Sequence, residues 1–213
     1  MNSVGQPFCR IGKGFLSGLT LWGRFQMDFE IEAKFRVSDL SGLARNLVSH
    51  GWTESRPTPS VEEDLYFQGI DRDFRQTGEA LRVRVHNGLP RFTYKGGAKL
   101  SEEGVKVRRE MELEMPRAKA SEAFCFLEAL GFQRVALVRK TRRTFANGEQ
   151  WPGIILTLDD VESLGFFAEI EFLSNGSEPE VALAVKRVAE IALQLGFGEK
   201  ENRSYLRMLM EKA

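Results

Sequence analysis

Apolar and charged residues alternate without a break from Phe29 to Val37, F-E-I-E-A-K-F-R-V. Phe29, Ile31, Ala33, Phe35 and Val37 fall on one side; Glu30, Glu32, Lys34 and Arg36 fall on the other. A period of two is that of a β-strand, whose successive side chains point to opposite faces. The same alternation returns over 80–85, 90–95, 103–115, 134–146, 151–161 and 166–173. Asn87-Gly88 and Asn147-Gly148 stand between neighbouring strands as hairpin signals, which predicts antiparallel pairing. Residues 51–69 read as extended structure broken by Pro57 and Pro59, and 71–78 as a polar loop. Helical spacing replaces the period of two after Ser38-Asp39, where Leu40, Leu43, Ala44, Leu47 and Val48 share a face closed by His50-Gly51. It returns over 118–130, 178–195 and 203–212.

Each helix has one apolar face to bury, and the apolar faces of the strands can receive it. A single two-faced strand usually turns its polar side to water. Here the pattern recurs in strand after strand, and helices covering the outside of a curved sheet would leave the charged faces inside. The expected fold is α+β: a closed antiparallel β-barrel, or tunnel, of about eight strands with a charged interior and helices packed outside.

Such an interior needs partners. Glu30 and Glu32 are parallel and about 7 Å apart at the usual rise of a strand, a spacing that suits divalent cations. Glu169 and Glu171 repeat the arrangement. Paired buried acids repel one another and call for a cation, and the remaining bases call for a multiply charged anion. A metal–polyphosphate complex meets both demands. For each base taken alone, a salt bridge to a neighbouring acid is an equal alternative, and Asp159 equally suits a cap of the turn before Gly165.

Composition narrows the class. The 213 residues, 42% hydrophobic and 28% charged, suffice for one globular domain. Thirty basic against thirty acidic residues lack the excess of a general nucleic-acid binder. Cys9 and Cys125 form no metal or disulfide pattern, which fits a reducing cytoplasm; Cys125, in A-F-C-F-L, is expected as a small apolar helix residue. No apolar run is long enough for a membrane span, and no G-x-x-x-x-G-K-[ST] phosphate loop occurs. Residues 1–23, punctuated by glycines, are expected to be a poorly ordered extension before a domain over 24–213, with Met27 an alternative start.

The motifs, taken in order, resemble the CYTH superfamily, the triphosphate tunnel metalloenzymes. The family's E-x-E-x-K is complete as Glu30-Ile31-Glu32-Ala33-Lys34, and its D-x-Y-F resembles Asp64-Leu65-Tyr66-Phe67. Leu81-Arg82-Val83-Arg84, Tyr94-Lys95-Gly96, Lys140-Thr141-Arg142, Leu158-Asp159-Asp160-Val161 and Leu164 to Glu171 match its later elements. The chain looks closest to the class IV adenylate cyclase branch, although Arg24-Phe25 stands where those cyclases carry H-F.

The resemblance implies an enzyme. Lys34, Arg82, Arg84, Lys95, Lys140 and Arg142 would hold the triphosphate, and Glu30, Glu32, Asp159, Glu169 and Glu171 would hold Mg²⁺ or Mn²⁺. Glu30, Glu32, Lys34 and Asp159 are the implied catalytic group. A cyclase would convert ATP to cyclic AMP and pyrophosphate; relatives with much the same lining hydrolyse inorganic or thiamine triphosphate. A non-catalytic polyphosphate-binding module could have lost the acids, yet all five are present. The implied partner is a small-molecule triphosphate, with no nucleic acid and no membrane, and a homodimer is compatible.

Overall fold

The computed structural model describes residues 28–86, 88–116, 120–174 and 176–212. The expectations for residues 1–23, Arg24-Phe25, Met27 and Cys9, and for Asn87 in the first hairpin, lie outside them.

Strand β1 (Asp28–Arg36) runs into α1 (Leu40–Ser49), whose N-cap Asp39 accepts a hydrogen bond from the Gly42 amide at 2.9 Å. Then follow β2 (Thr53–Glu54), β3 (Ser60–Gln68), the single turn α2 (Phe74–Thr77), β4 (Ala80–His86), β5 (Leu89–Lys95), β6 (Lys99–Leu100) and β7 (Lys106–Glu114). The remainder is α3 (Ala120–Ala129), β8 (Gln133–Ala146), β9 (Ile154–Val161), β10 (Gly165–Ser174), α4 (Glu178–Gln194) and α5 (Tyr205–Lys212).

All pairings are antiparallel. Eight strands follow the order β1-β10-β9-β8-β3-β4-β5-β7, and β7 pairs back onto β1 with Glu30 opposite Arg108 and Glu32 opposite Lys106. That last pairing closes the sheet into a barrel, while β2 and β6 are short additions to β8 and β7. The expected architecture is therefore present, with eight barrel strands and, among the described residues, five helices outside or at an end.

Three departures have local causes. Residues 71–78 are not all loop, because Asp73 caps the turn of α2 through the Arg75 amide and Gly78 ends it at φ 72°. The strand expected from 103 begins at Lys106, after a turn in which Gly104 takes φ 70°. The strand expected from 151 begins at Ile154, since the Trp151 amide still belongs to the Asn147 turn and Gly153 has φ 80°. Cys125 lies in a helix as expected, on the exposed side of α3, while Ala123 and Leu127 face the barrel.

The outward apolar faces form the core. Ile31, Phe35, Leu156, Leu158 and Ile170 pack under Ala44 and Leu47 of α1 and Val185, Val188 and Ile191 of α4. Fully buried side chains such as Leu47 and Val188 contribute roughly 2 kcal/mol each. Helix α5 does something different. Its Tyr205 and Met208 pack on Tyr66, Val138, Val161 and Phe167, which occupy the inward positions at one end of the barrel. Glu201 and Lys200 strap this segment to β1 through the Lys34 carbonyl and a bridge to Phe35. One end of the tunnel is thereby stopped with apolar side chains.

Candidate active site

The inward positions of the eight strands enclose a cavity of about 570 Å³. Alternation explains the lining: the residues between those that pack under the helices must point inward. Lys34, Arg82, Arg84, Lys95, Lys140 and Arg142, predicted from the sequence to contact phosphate, all line it, as do Glu30, Glu32, Glu169 and Glu171. Asp159 does not reach the cavity surface and is wholly buried behind it.

Toward the stopped end, each acid lies against cationic side chains, although Glu62 Oε2 and Glu32 Oε1 accept no hydrogen bond among the described residues. Asp64 accepts from Arg84 at 2.6 and 2.8 Å and from Arg82 at 3.0 Å. Asp159 accepts from Arg142 Nε at 2.7 Å, Lys140 at 3.1 Å and the Tyr205 hydroxyl at 2.9 Å. It caps no turn. Burial would raise the Asp64 carboxyl, but Arg82 and Arg84 outweigh it and hold the group well below the usual carboxylate range. Glu62, beside Lys140, Arg142 and Arg84, is likewise brought down to about 2 against its burial. Lys34 bridges Glu32 and Glu169 at 3.1 and 3.0 Å, and its ammonium lies 4.3 Å from the centre of the Tyr205 ring.

Across the barrel the balance reverses. Glu30, Glu110 and Glu171 bring carboxylate oxygens within 4.8 Å of one another. Lys95 contacts both Glu30 and Glu110, and Arg108 contacts Glu30 and, at 3.4 Å, Glu32. Glu171 has no ion-pair or hydrogen-bond partner among the described residues. Burial first, then Glu30 and Glu110, push its carboxyl up to about 7 despite Lys95. Glu110 also rises, through burial and Glu30 against Lys95. Glu30, flanked by Arg108 and Lys95, is held well below its ordinary value in spite of burial. Two buried tunnel atoms of other types, Arg82 Nε and Thr157 Oγ1, also lack a hydrogen-bond partner among the described residues.

This donor set fits a divalent cation. It is all oxygen, it carries more negative charge than its neighbours cancel, and the ionisation of one member is opposed by burial and then by the other two. Of the acids expected to bind metal, Glu30 and Glu171 come together here, while Glu32, Glu169 and Asp159 are engaged by cations. Sequence reasoning missed Glu110 as a partner. It shares the inward face of β7 with Arg108 and Glu112, and only closure onto β1 brings it to Glu30. Lys106 and Arg108 fall on the charged face expected inside, but their pairing with Glu32 and Glu30 was not foreseen, nor were Glu62 and Asp64 as counter-charges.

Residues 28–205 match the CYTH domain family. The chain belongs to the CYTH family. A Methanocaldococcus jannaschii protein named "Putative adenylate cyclase MJ0240" is 33% identical over 183 residues, covering 84% of this chain and 97% of its own. The structure of the PH1819 protein of Pyrococcus horikoshii OT3 superposes with a TM-score of 0.73 at 36% identity, over 86% of this chain and 99% of that one. A Hippeastrum protein, described as a "putative adenylyl cyclase" with a dominant triphosphatase activity, shares the fold at a TM-score of 0.60 and 21% identity, over 87% and 96% of the two chains. That last likeness is one of fold. None of its described helices is long and apolar enough to cross a membrane.

Proposed function

We propose that this CYTH protein is a metal-dependent enzyme acting on a triphosphate, and that it converts ATP to cyclic AMP and pyrophosphate. The observation that carries the reading is the division of one enclosed cavity into a wall of lysines and arginines and a cluster of three glutamates, one of them without a counter-ion. Glu30, Glu110 and Glu171 would hold Mg²⁺ or Mn²⁺, with Glu32 and Glu169 next to them. The cation supplies charge neutralisation at the phosphate oxygens as the leaving group departs.

The residues of the chain do the rest. Arg82, Arg84, Lys95, Lys140 and Arg142 hold the phosphates, exchanging carboxylate contacts for phosphate oxygens as the substrate enters. Lys34, fixed between Glu32 and Glu169, adds charge from the β1 side. The apolar stop at Tyr205 and Phe167 keeps the phosphate chain from sliding through and excludes water from that end. In the cyclase reaction the ribose 3′-oxygen bonds to the α-phosphorus, the bond from that phosphorus to the pyrophosphate oxygen breaks, and the hydroxyl proton leaves to solvent. Catalysis of this kind rests on positioning and charge.

The second reading is hydrolysis of inorganic or thiamine triphosphate. Arg24-Phe25, at the place of the cyclase H-F, favours it. Incubation with ATP and, separately, tripolyphosphate in Mg²⁺ or Mn²⁺ decides. Cyclic AMP with pyrophosphate supports the cyclase, and orthophosphate supports the hydrolase. Tight binding of both compounds with no product in either metal would refute an enzymatic role.

A further inference from the structure

Beyond the tunnel mouth lies a second cavity of about 350 Å³ that shares Arg56, Glu62, Arg84, Arg91, Arg142 and Thr144 with the tunnel lining. It is an anteroom that adjoins the tunnel through these shared residues. Its chemistry is unlike that of the tunnel. One side is apolar: Leu89, Pro90 and Met115 sit there, with Leu89 48% exposed at the rim of an otherwise ionic opening.

The other side is arginine-rich, and most of its guanidiniums are already matched. Arg143 holds Glu54 through two bonds of 2.8 and 2.7 Å, and Arg91 holds Glu112 and Glu114. Arg84 and Arg142 belong to Asp64 and Asp159. Arg56 is different. It contacts His86 Nε2 at 3.1 Å and no acid among the described residues, and it stands where the tunnel opens into the anteroom.

We propose that the anteroom selects the group attached to the triphosphate, with Arg56 and Leu89 as the specificity-determining residues, and that it takes an uncharged planar ring, such as a nucleobase, and rejects a cationic one. The inference rests on the triphosphate reading of the tunnel. A neutral ring can lie on the Leu89–Pro90–Met115 wall with a guanidinium over its other face. A thiazolium ring carries a fixed positive charge. It would meet Arg56 without a counter-ion, and no Phe, Tyr or Trp lines the anteroom among the described residues to offer it a π-face, while the His86 imidazole there is already in contact with Arg56. Two triphosphates of equal phosphate charge would then differ only in what the anteroom sees.

Dissociation constants for ATP, thiamine triphosphate and tripolyphosphate, measured by calorimetry on the full chain in EDTA to hold off turnover, test this. ATP should bind about tenfold more tightly than thiamine triphosphate, the size expected of one unscreened charge contact at a protein surface. Arg56→Glu and Leu89→Glu each put a carboxylate beside the ring and should each shrink that ratio by about tenfold. Both positions are exposed, and retention of the wild-type melting temperature confirms an intact fold. Equal affinity for the two rings in the wild type, or a ratio unmoved in both variants, overturns the proposal and leaves the triphosphate reading standing. Failure of all three compounds to bind in EDTA and again in Mg²⁺ overturns the triphosphate reading and this inference with it.

Discussion

Two groups of acids in the same barrel have opposite fates. Asp64 and Asp159 each meet two cationic side chains at hydrogen-bonding distance and are buried at no net cost in unpaired charge. Glu30, Glu110 and Glu171 converge on one another with two shared cations, and Glu171 is left without either. All five are carboxylates, two aspartates against three glutamates; what differs most is the local ratio of acids to bases. The first group is finished as folded and stiffens the basic side chains that it holds. The second is unfinished, and an unfinished buried charge is where a ligand has most to offer.

The largest effect that would break this contrast concerns activity. Glu171→Gln should lower turnover about 1,000-fold while leaving the metal-free melting temperature unchanged or raised, because the substitution removes repulsion and no ion pair. Near-normal turnover of Glu171→Gln and Glu30→Gln in a steady-state assay would remove both residues from the metal site. Asp159→Asn should behave in the opposite sense. It leaves Arg142 and Lys140 short of their partner inside the protein and should cost about 3 kcal/mol of stability in denaturant unfolding. A fully stable Asp159→Asn would mean that the two groups are not different in kind.

Next in size is the dependence on pH. The Glu171 carboxyl, near 7 when folded against about 4.5 when free, binds more protons folded than unfolded between those values. The metal-free protein should therefore lose stability as pH rises from about 4.5 through about 7, by at most about 3 kcal/mol from this group. Glu62, lowered to about 2, acts oppositely: its contribution is present above about 4.5 and lost as pH falls toward 2. Mn²⁺ added to the metal-free protein should raise the melting temperature more at pH 8 than at pH 5.5, because protons compete for the same oxygens at the lower pH. Equal shifts at both values would argue against a carboxylate site. The smallest expected effect is that of Tyr205→Phe. Losing the hydroxyl contact to Asp159 should cost about 1 kcal/mol, read as a modest fall in melting temperature.

Much of this was legible beforehand. The strand from Phe29 to Val37 announces both its faces, and the motif order from Glu30 to Glu171 points to the CYTH family without any structure. Glu110 was harder to see. In K-V-R-R-E-M-E-L-E it is one of three alternating glutamates, and nothing local sets it apart from Glu112 or Glu114. Its role depends on Lys95 opposite it on β5 and on Asp28 at the edge of β1. Cys125 was legible as a helix residue, but its apolar neighbours do not say which side is covered: α3 packs on one side only, and Phe126 beside it is 60% exposed. Helix α5 reads as an ordinary amphipathic helix, and nothing in its spacing says that it stops a tunnel.

By itself the sequence determined which side chains share a face, because a period of two needs no partner strand to define it. It also determined that acids and bases would be enclosed together, since the helices left the apolar faces nowhere else to go. Only the tertiary structure decided which acid meets which base. That depends on strand register and on the closure of β7 against β1, and in an enclosed space of low polarity a few ångströms separate a saturated carboxylate from one that still wants a cation.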